Sequence, residues 1–553
     1  MVRVCGLILL GYLGALAQSP KYDVLIRGGR IIDGTGNPWF SGDVAIKDGR
    51  IVNVGHLAGA TATRVIDATG LVVVPGFIDL HTHSDLTLLA DGNAQSKVRD
   101  GVTLDVIGES TSVAPRDGLP AEGSSSVRQD WTNFNQYFQK IEQQGISMNL
   151  ISHVSAEQIR RVVIGYDDRA ATPAEIERMR DLVARSMKEG AWGLVTRFEG
   201  GGPDHPDEII EMARVAAALG GNYTTHVGDE GVEIRKEVAF ALRVADETRI
   251  PVHIFHMKIR GSDNWGFMPE YIAEIENARS KGLDITVNQY PYTAMSKGWS
   301  TLFPVWVRAG GPAKFAERLK DPTVHAKIKA DPYFKTMMKE NGWADIALAN
   351  TSQPQLRKYE GMRVTEIAKL RGDADPADTC IDLMAEDGGR ISGVFHNQSE
   401  ENIRLVMRQP WVSIASDGSA ISADAPGVPH PREFSSNARV LGYYVRDQHV
   451  LTLEDAIRKM TSFPAQILGL PDRGQIRSGF AADVVLFDPD KVRETSTYEK
   501  PKSYPEGIPY VLVNGVMVID KGQHTGARPG RVIRGTAWQS ASRPGGADFR
   551  SAR

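Results

Sequence analysis

Five groups able to hold a cation stand where extended runs of the sequence come to an end. His81 and His83, in His81-Thr82-His83-Ser84-Asp85, are two residues apart. On extended backbone their imidazoles point to one side and can share a metal ion. His226 closes the run that begins at Asn222, His256 lies near the end of Ile250 to Met257, and Asp417 closes Val412 to Asp417, before Gly418. His253 shares a run with His256 at opposite parity, so the two should face opposite sides. Lys258 has the parity of His256, which sets its ammonium near the same mouth. Imidazole and carboxylate gathered this way suit a divalent cation that activates water for hydrolysis. His153 ends Asn149-Leu150-Ile151-Ser152 and could support such a site from behind, whereas His396 and His430 fall in a loop-rich stretch.

The elements between these groups repeat. Thr172-Pro173-Ala174-Glu175 combines an N-cap, a proline in the first turn and a capping-box glutamate. Ile176, Met179 and Val183 then recur on one helical face, and Gly190 ends the helix. A strand at Gly193 to Thr196, a helix at 207–219 and a strand at Asn222 to His226 follow. Strand ends near 196, 226, 256 and 290 give a period of about 30 residues, the length of a β–α unit in a parallel sheet. Eight such units closed on themselves form a (β/α)8 TIM barrel, whose chemistry sits at the C-terminal strand ends. An open doubly wound sheet is the alternative, but no G-x-G-x-x-G follows an early strand.

Both ends of the chain have another texture. Asp23 to Ile32 and Asp43 to Val52 are short β runs, the second with an Asp48-Gly49 hairpin signal, and similar runs return at Ala482 to Phe487 and Val511 to Gly515. The expected organisation is a small β-sandwich domain built from 21–75 and 468–535 around a barrel at 76–467. The rhythm breaks after Tyr292, which predicts an insertion or lid around 295–385, rich in aromatic and charged residues. Arg3, the apolar run Val4 to Ala17 and the ending Ala15-Leu16-Ala17 predict a signal peptide over 1–17 and a periplasmic or secreted protein. The run is short for a membrane span. Residues 536–553 read as a flexible polar tail.

Composition narrows the classes. In 553 residues, a hydrophobic share of 41% and a charged share of 24% describe a globular chain rather than a disordered or polytopic one. A net charge of −4 provides no basic field for a nucleic acid backbone. Of two cysteines, Cys5 would leave with the signal, so no internal disulfide is expected.

Pro75-Gly76-Phe77-Ile78-Asp79-Leu80-His81-Thr82-His83, followed by later histidines and Ser416-Asp417-Gly418, resembles the metal-dependent amidohydrolase superfamily. Further stretches look like its N-acyl-D-amino-acid deacylase (D-aminoacylase) branch: His226 before Val227-Gly228-Asp229-Glu230, Phe255-His256-Met257-Lys258, Gln289-Tyr290-Pro291-Tyr292-Thr293-Ala294, and His430-Pro431-Arg432. Gly474 to Asp483 adds to the likeness, which runs from about Tyr22 to Gly522. The resemblance implies the same barrel and two-ended β-sandwich. One departure stands out. The branch carries a metal-binding cysteine in Gly-Asn-Cys-Gly at its second strand, and other members of the superfamily use a carboxylated lysine on the fourth. Here Val102 to Ile107 leads into Gly108-Glu109-Ser110-Thr111, and Ala191 to Thr196 has no lysine. A bridging anion must then be a carboxylate. Glu109 is the first candidate, with Glu199 behind it.

The expected chemistry is hydrolysis of a linear amide by metal-bound hydroxide, most simply the deacylation of N-acyl-D-amino acids or D-terminated dipeptides. A cyclic amide hydrolase of the hydantoinase or dihydroorotase kind, or a non-catalytic scaffold, are the alternatives. His226, His256 and Glu109 would hold the tighter cation, with His81, His83 and Asp417 completing a second position. One or two Zn2+ ions are expected, with Mn2+ or Fe2+ open because a carboxylate replaces a thiolate. Asp417 would serve as general base. Lys258 and Tyr290 would bind the substrate carboxylate, with Arg432 as a third candidate.

Overall fold

The computed structural model describes residues 21–109, 112–119, 127–165, 167, 169–197 and 205–539. The expected signal at 1–17, Glu199 and residues 540–553 of the expected tail lie outside the described residues. The first tail residues are tied down, with Gln539 N–H donating to Lys188 O at 2.9 Å. Among the described residues, no helix is long and apolar enough to cross a membrane.

The fold is mixed α/β. β Segments from the two ends of the chain meet in one nine-stranded sheet. Val484–Phe487 pairs antiparallel with Val72–Pro75, which lies beside Tyr22–Ile31, and the N-terminal strands continue outward through Phe40–Lys47 and Arg50–Gly55. The hairpin between those last two turns at Asp48 (φ 51°) and Gly49 (φ 75°), a left-handed pair that right-twisted strands favour. Its buried residues include Val44, Ile46, Val73, Val484 and Leu486, drawn from both ends of the sequence.

The strands that carry the chemical groups are all parallel. Val412–Ile414, Ile285–Gln289, Val252–Ile254, Tyr223–His226, Leu194–Arg197 and Val154–Ser155 form a six-stranded sheet in that order. Phe77–Asp79, Val102–Ile107 and Asn149–Ser152 form a second sheet, and only His153 separates its last strand from the first sheet's edge. At the opposite edges, a parallel bridge joins Thr82 to Gly418, with Asp417 N–H donating to His81 O at 3.0 Å. Helices alternate with these strands. Pro173–Glu189 begins at the predicted capping box, buries Met179 and Val183, and ends at left-handed Gly190.

The rhythm breaks where expected. Met295–Gly298, Ser392–Phe395 and Ile346–Asn350 make a small antiparallel sheet, with helices between, around an apolar core of its own that includes Trp299, Phe303 and Phe395. Glu340 fastens this excursion to the loops after two parallel strands, accepting from Arg260 Nε at 2.7 Å, Asn264 Nδ2 at 3.0 Å and Val232 N–H at 3.3 Å.

Candidate metal centre

The two histidines of the first parallel strand converge as their spacing predicts. His81 Nε2 meets Glu109 Oε2, and His83 Nε2 lies 3.0 Å from Asp417 Oδ1 and 3.5 Å from Glu109 Oε2. His81 Nε2 is 3.5 Å from Asp417 Oδ1, so two imidazoles and two carboxylates share one focus. Phe255 stacks on the His81 ring at 3.9 Å and fixes its plane. Glu109 reaches this focus because the preceding residue is glycine. Gly108 has φ 117°, and a Cβ there would stand 2.3 Å from His153 O.

The other two histidines form a second group, and here the expected division of ligands changes. His226 and His256 gather around Glu230 rather than Glu109, at 3.5 Å and 3.2 Å from Glu230 Oε1. His226 Nδ1 is engaged with Val227 O at 2.6 Å, which directs Nε2 inward. His256 Nδ1 accepts from Lys258 Nζ at 2.9 Å, which leaves Nε2 facing Asp417 Oδ2 at 3.8 Å. The two groups share one cavity, lined also by Arg197, Lys258, Arg260 and residues of the excursion. His256 (φ 28°) and Asp417 (φ 54°) both hold left-handed backbone conformations, which cost about 1–3 kcal/mol each for non-glycine residues. Asn288 supports the first of these, accepting from His256 N–H at 2.6 Å. Its amide nitrogen lies 3.0 Å from Nε2 of His253, whose Nδ1 lies 2.8 Å from Thr286 Oγ1.

At Glu109, Asp417, His226 and His256 the electrostatics favour the form that binds a cation. Burial alone would raise the carboxyl of Glu109, but His81, His83 and Arg197 hold it well below the carboxylate range. Burial likewise opposes ionisation of Asp417, and Arg432 with His81 overrides it. Burial lowers His226 and His256, keeping these imidazoles neutral, while Glu109 and Asp417 outweigh burial at His83 and raise it. The neutral imidazoles of His226 and His256 and the ionised carboxylates of Glu109 and Asp417 are donors a zinc-like cation accepts, and the ligand atoms of each group lie within 4.8 Å of one another.

The remaining predicted residues are placed differently from one another. Lys258 lines the cavity but is already engaged with Glu230 at 2.8 Å. Tyr290 is buried, with its hydroxyl accepting from Gln398 Nε2. Arg432 is also buried, with Nη1 on Asp417 Oδ2 and its Cζ 5.2 Å from the Tyr290 ring. His430 orients this corner, accepting from Arg432 N–H at 3.0 Å, and His153 is held by Asn222 at 2.8 Å. His396 stacks edge-on to Tyr498.

Sequence reasoning gave no role to Glu230, Arg197 or Lys97. Glu230 stands four residues after His226 in a quoted motif, and that acid-histidine spacing was the available signal. Arg197 follows the predicted strand end at Thr196 and lies 3.6 Å from Glu109 Oε1. Lys97 is the hidden one. Its Nζ donates to Asp79 Oδ2 at 3.1 Å and to Ser416 Oγ at 2.5 Å. Asp79 Oδ1 in turn accepts from the backbone of His81 at 3.3 Å and Ser416 at 3.0 Å. One buried ion pair thus joins the two segments that carry His81 and Asp417.

An amidohydrolase family model matches residues 64–287 and 342–519. The chain is 31% identical to a D-aminoacylase of Alcaligenes xylosoxydans xylosoxydans over 94% of its own length and 99% of that protein's. An N-acyl-D-glutamate deacylase from the same organism is 32% identical over 94% of this chain and 97% of that one. Among solved structures, the N-acyl-D-glutamate deacylase of Bordetella bronchiseptica, complexed with zinc and a phosphonate mimic of the tetrahedral intermediate, superposes with a TM-score of 0.79 at 29% identity. That superposition covers 93% of this chain and all of the other.

Proposed function

The chain belongs to the amidohydrolase family, and from that premise we propose that it hydrolyses the amide bond of N-acyl-D-amino acids with the help of a divalent cation, zinc in the first place. The observation that carries this reading is the convergence of two imidazole–carboxylate groups in one cavity at the ends of parallel strands. Near-full-length similarity to named D-amino acid deacylases supplies the substrate class. We read the parallel strands as a closed (β/α)8 barrel and the nine-stranded sheet as the core of a two-ended β-sandwich domain. The Thr82–Gly418 bridge and the single-residue gap at His153 support closure at both seams. The signal-like run at 1–17 supports export to the periplasm or the medium.

His81, His83, Glu109, His226, His256 and Asp417 are the proposed ligands, with Glu109 in the place of the cysteine of its relatives. A divalent cation held there would supply the lowering of water's pKa from about 16 towards 7 and the polarisation of the scissile carbonyl. Asp417 is held ionised by Arg432, so across the neutral range it can take the water proton and pass it to the leaving amine nitrogen. Lys258 and Arg432, each 5.2 Å from the centre of the Tyr290 ring, would receive the α-carboxylate that identifies an amino acid. Cavity walls from the excursion would exclude water from the bound amide.

The test is a panel of N-acetyl D- and L-amino acids, D-terminated dipeptides and cyclic ureides, run before and after chelation and after zinc is restored. The expected result is D-selective release of the acyl group that chelation abolishes and zinc returns. Activity confined to L-substrates or to cyclic amides would overturn the reading.

A further inference from the structure

The cavity wall carries four cationic side chains: Arg197, Lys258, Arg260 and Lys297. Three already face carboxylates. Arg197 lies 3.6 Å from Glu109, Lys258 lies 2.8 Å from Glu230, and Arg260 is clamped by Asp229 at 2.9 Å and Glu340 at 2.7 Å. Lys297 differs. Among the described residues its ammonium has neither a hydrogen bond nor an ion pair, and it rests 5.1 Å from the centre of the Phe395 ring. It stands on the strand Met295–Gly298, where the excursion begins, and the cavity lining beside it includes Met295, Ser296, Thr301, Tyr333 and Met337. These residues offer apolar surface and hydroxyls, and the carboxylates that act on Lys297, Glu230 and Asp229, are already engaged by Lys258 and Arg260. A cation in a partly dehydrated wall without an anionic partner is stabilised by whatever anion enters the cavity.

We infer that Lys297 is a specificity-determining residue that receives a second carboxylate on the substrate, so that the enzyme favours N-acyl-D-amino acids bearing an additional acidic group. The inference rests on the deacylase reading above and deepens it. Burial, with Arg260 nearby, holds the Lys297 ammonium down at about 7, and a carboxylate brought against it would act in the opposite direction. The second carboxylate can come from the amino acid side chain or from the acyl group, and both offer the same charge to the wall.

The experiment compares kcat/KM for N-acetyl-D-glutamate, its neutral isostere N-acetyl-D-glutamine, N-acetyl-D-leucine and N-succinyl-D-leucine, using zinc-loaded wild type, Lys297→Met and Lys297→Arg. The wild type is expected to prefer at least one dicarboxylate. Lys297→Met should reduce that preference by about 10- to 100-fold, mostly through KM, the range for losing a charged hydrogen bond. Turnover of N-acetyl-D-leucine should change by less than about threefold, because uniform binding to an absent group contributes nothing there. Lys297→Arg should restore much of the preference. A loss confined to N-acetyl-D-glutamate places the carboxylate on the amino acid, and a loss confined to N-succinyl-D-leucine places it on the acyl group. Equal losses on acidic and neutral substrates, or an unchanged preference in Lys297→Met, would overturn the inference while leaving the deacylase reading intact. Failure of wild type on every N-acyl-D-amino acid would overturn both.

Discussion

The buried ion pair beneath the metal centre makes a prediction whose size can be worked out. Lys97 and Asp79 are 2% and 3% exposed, and the Lys97 charge also acts to lower the carboxyl of fully buried Asp105. Lys97→Met keeps the length of the side chain and removes the charge, leaving two carboxylates uncompensated in the interior. Removing one partner of a buried pair costs about 3–5 kcal/mol. The cost should depend on pH, and its sign follows from Asp105. Burial raises that carboxyl to about 7, above its unfolded value near 4, so the native state binds more protons than the unfolded state in that window. Its contribution to stability is therefore lost as pH rises through the window. Without Lys97 the carboxyl is pushed higher still, and the deficit of the variant should grow between pH 6 and pH 9. Adding Asp105→Asn should return part of the loss, because one stranded charge is then gone. The assay is urea unfolding followed by tryptophan fluorescence, read as midpoint shifts at constant slope. Zinc titration of the same proteins gives a second readout. Asp79 holds the backbone of both His81 and Ser416, so metal affinity should fall about 10- to 100-fold. A deficit below about 1 kcal/mol at pH 8, or one that shrank between pH 6 and pH 9, would refute the reasoning.

Four further outcomes are expected. Glu109→Gln keeps the shape but removes the shared anion, so metal analysis should find less zinc per chain and activity should fall at least about 100-fold; retention of both would remove Glu109 from the ligand set. Asp417→Asn should lower kcat by about 10²–10⁴-fold, the usual worth of a positioned base, with circular dichroism unchanged. Gly108→Ala places a Cβ 2.3 Å from His153 O at φ 117°, and thermal melting should report a loss above about 2 kcal/mol. Cys380 is fully buried and its thiol is pushed far above the ordinary range, so a thiol reagent should find it inert in the native protein and reactive only after denaturation.

Local features were legible wherever a short stretch of chain contains its own reason. The helix Pro173–Glu189 starts at its capping box because Thr172 and Glu175 satisfy backbone N–H groups three residues apart. The hairpin turns at Asp48-Gly49 because two left-handed residues are needed there. Glu230 escaped notice for the opposite reason: its neighbours in space, His256 and Lys258, arrive from the next strand. Lys97 escaped notice too, because its partners Asp79 and Ser416 are 337 residues apart in the sequence.

By itself the sequence determined which residue types stand at the strand ends and how often strand and helix alternate, since spacing and periodicity are properties of neighbouring residues. It also determined that Glu109, and no cysteine, follows the second parallel strand. Tertiary structure alone decided how these groups gather, with Glu109 beside His81, His83 and Asp417 and Glu230 beside His226 and His256. It alone turned the excursion towards the cavity, where Lys297 stands among paired cations without an anion of its own. Such choices depend on charges brought together across hundreds of residues, and the Coulomb and desolvation energies that rank them exist only once the chain has closed around them.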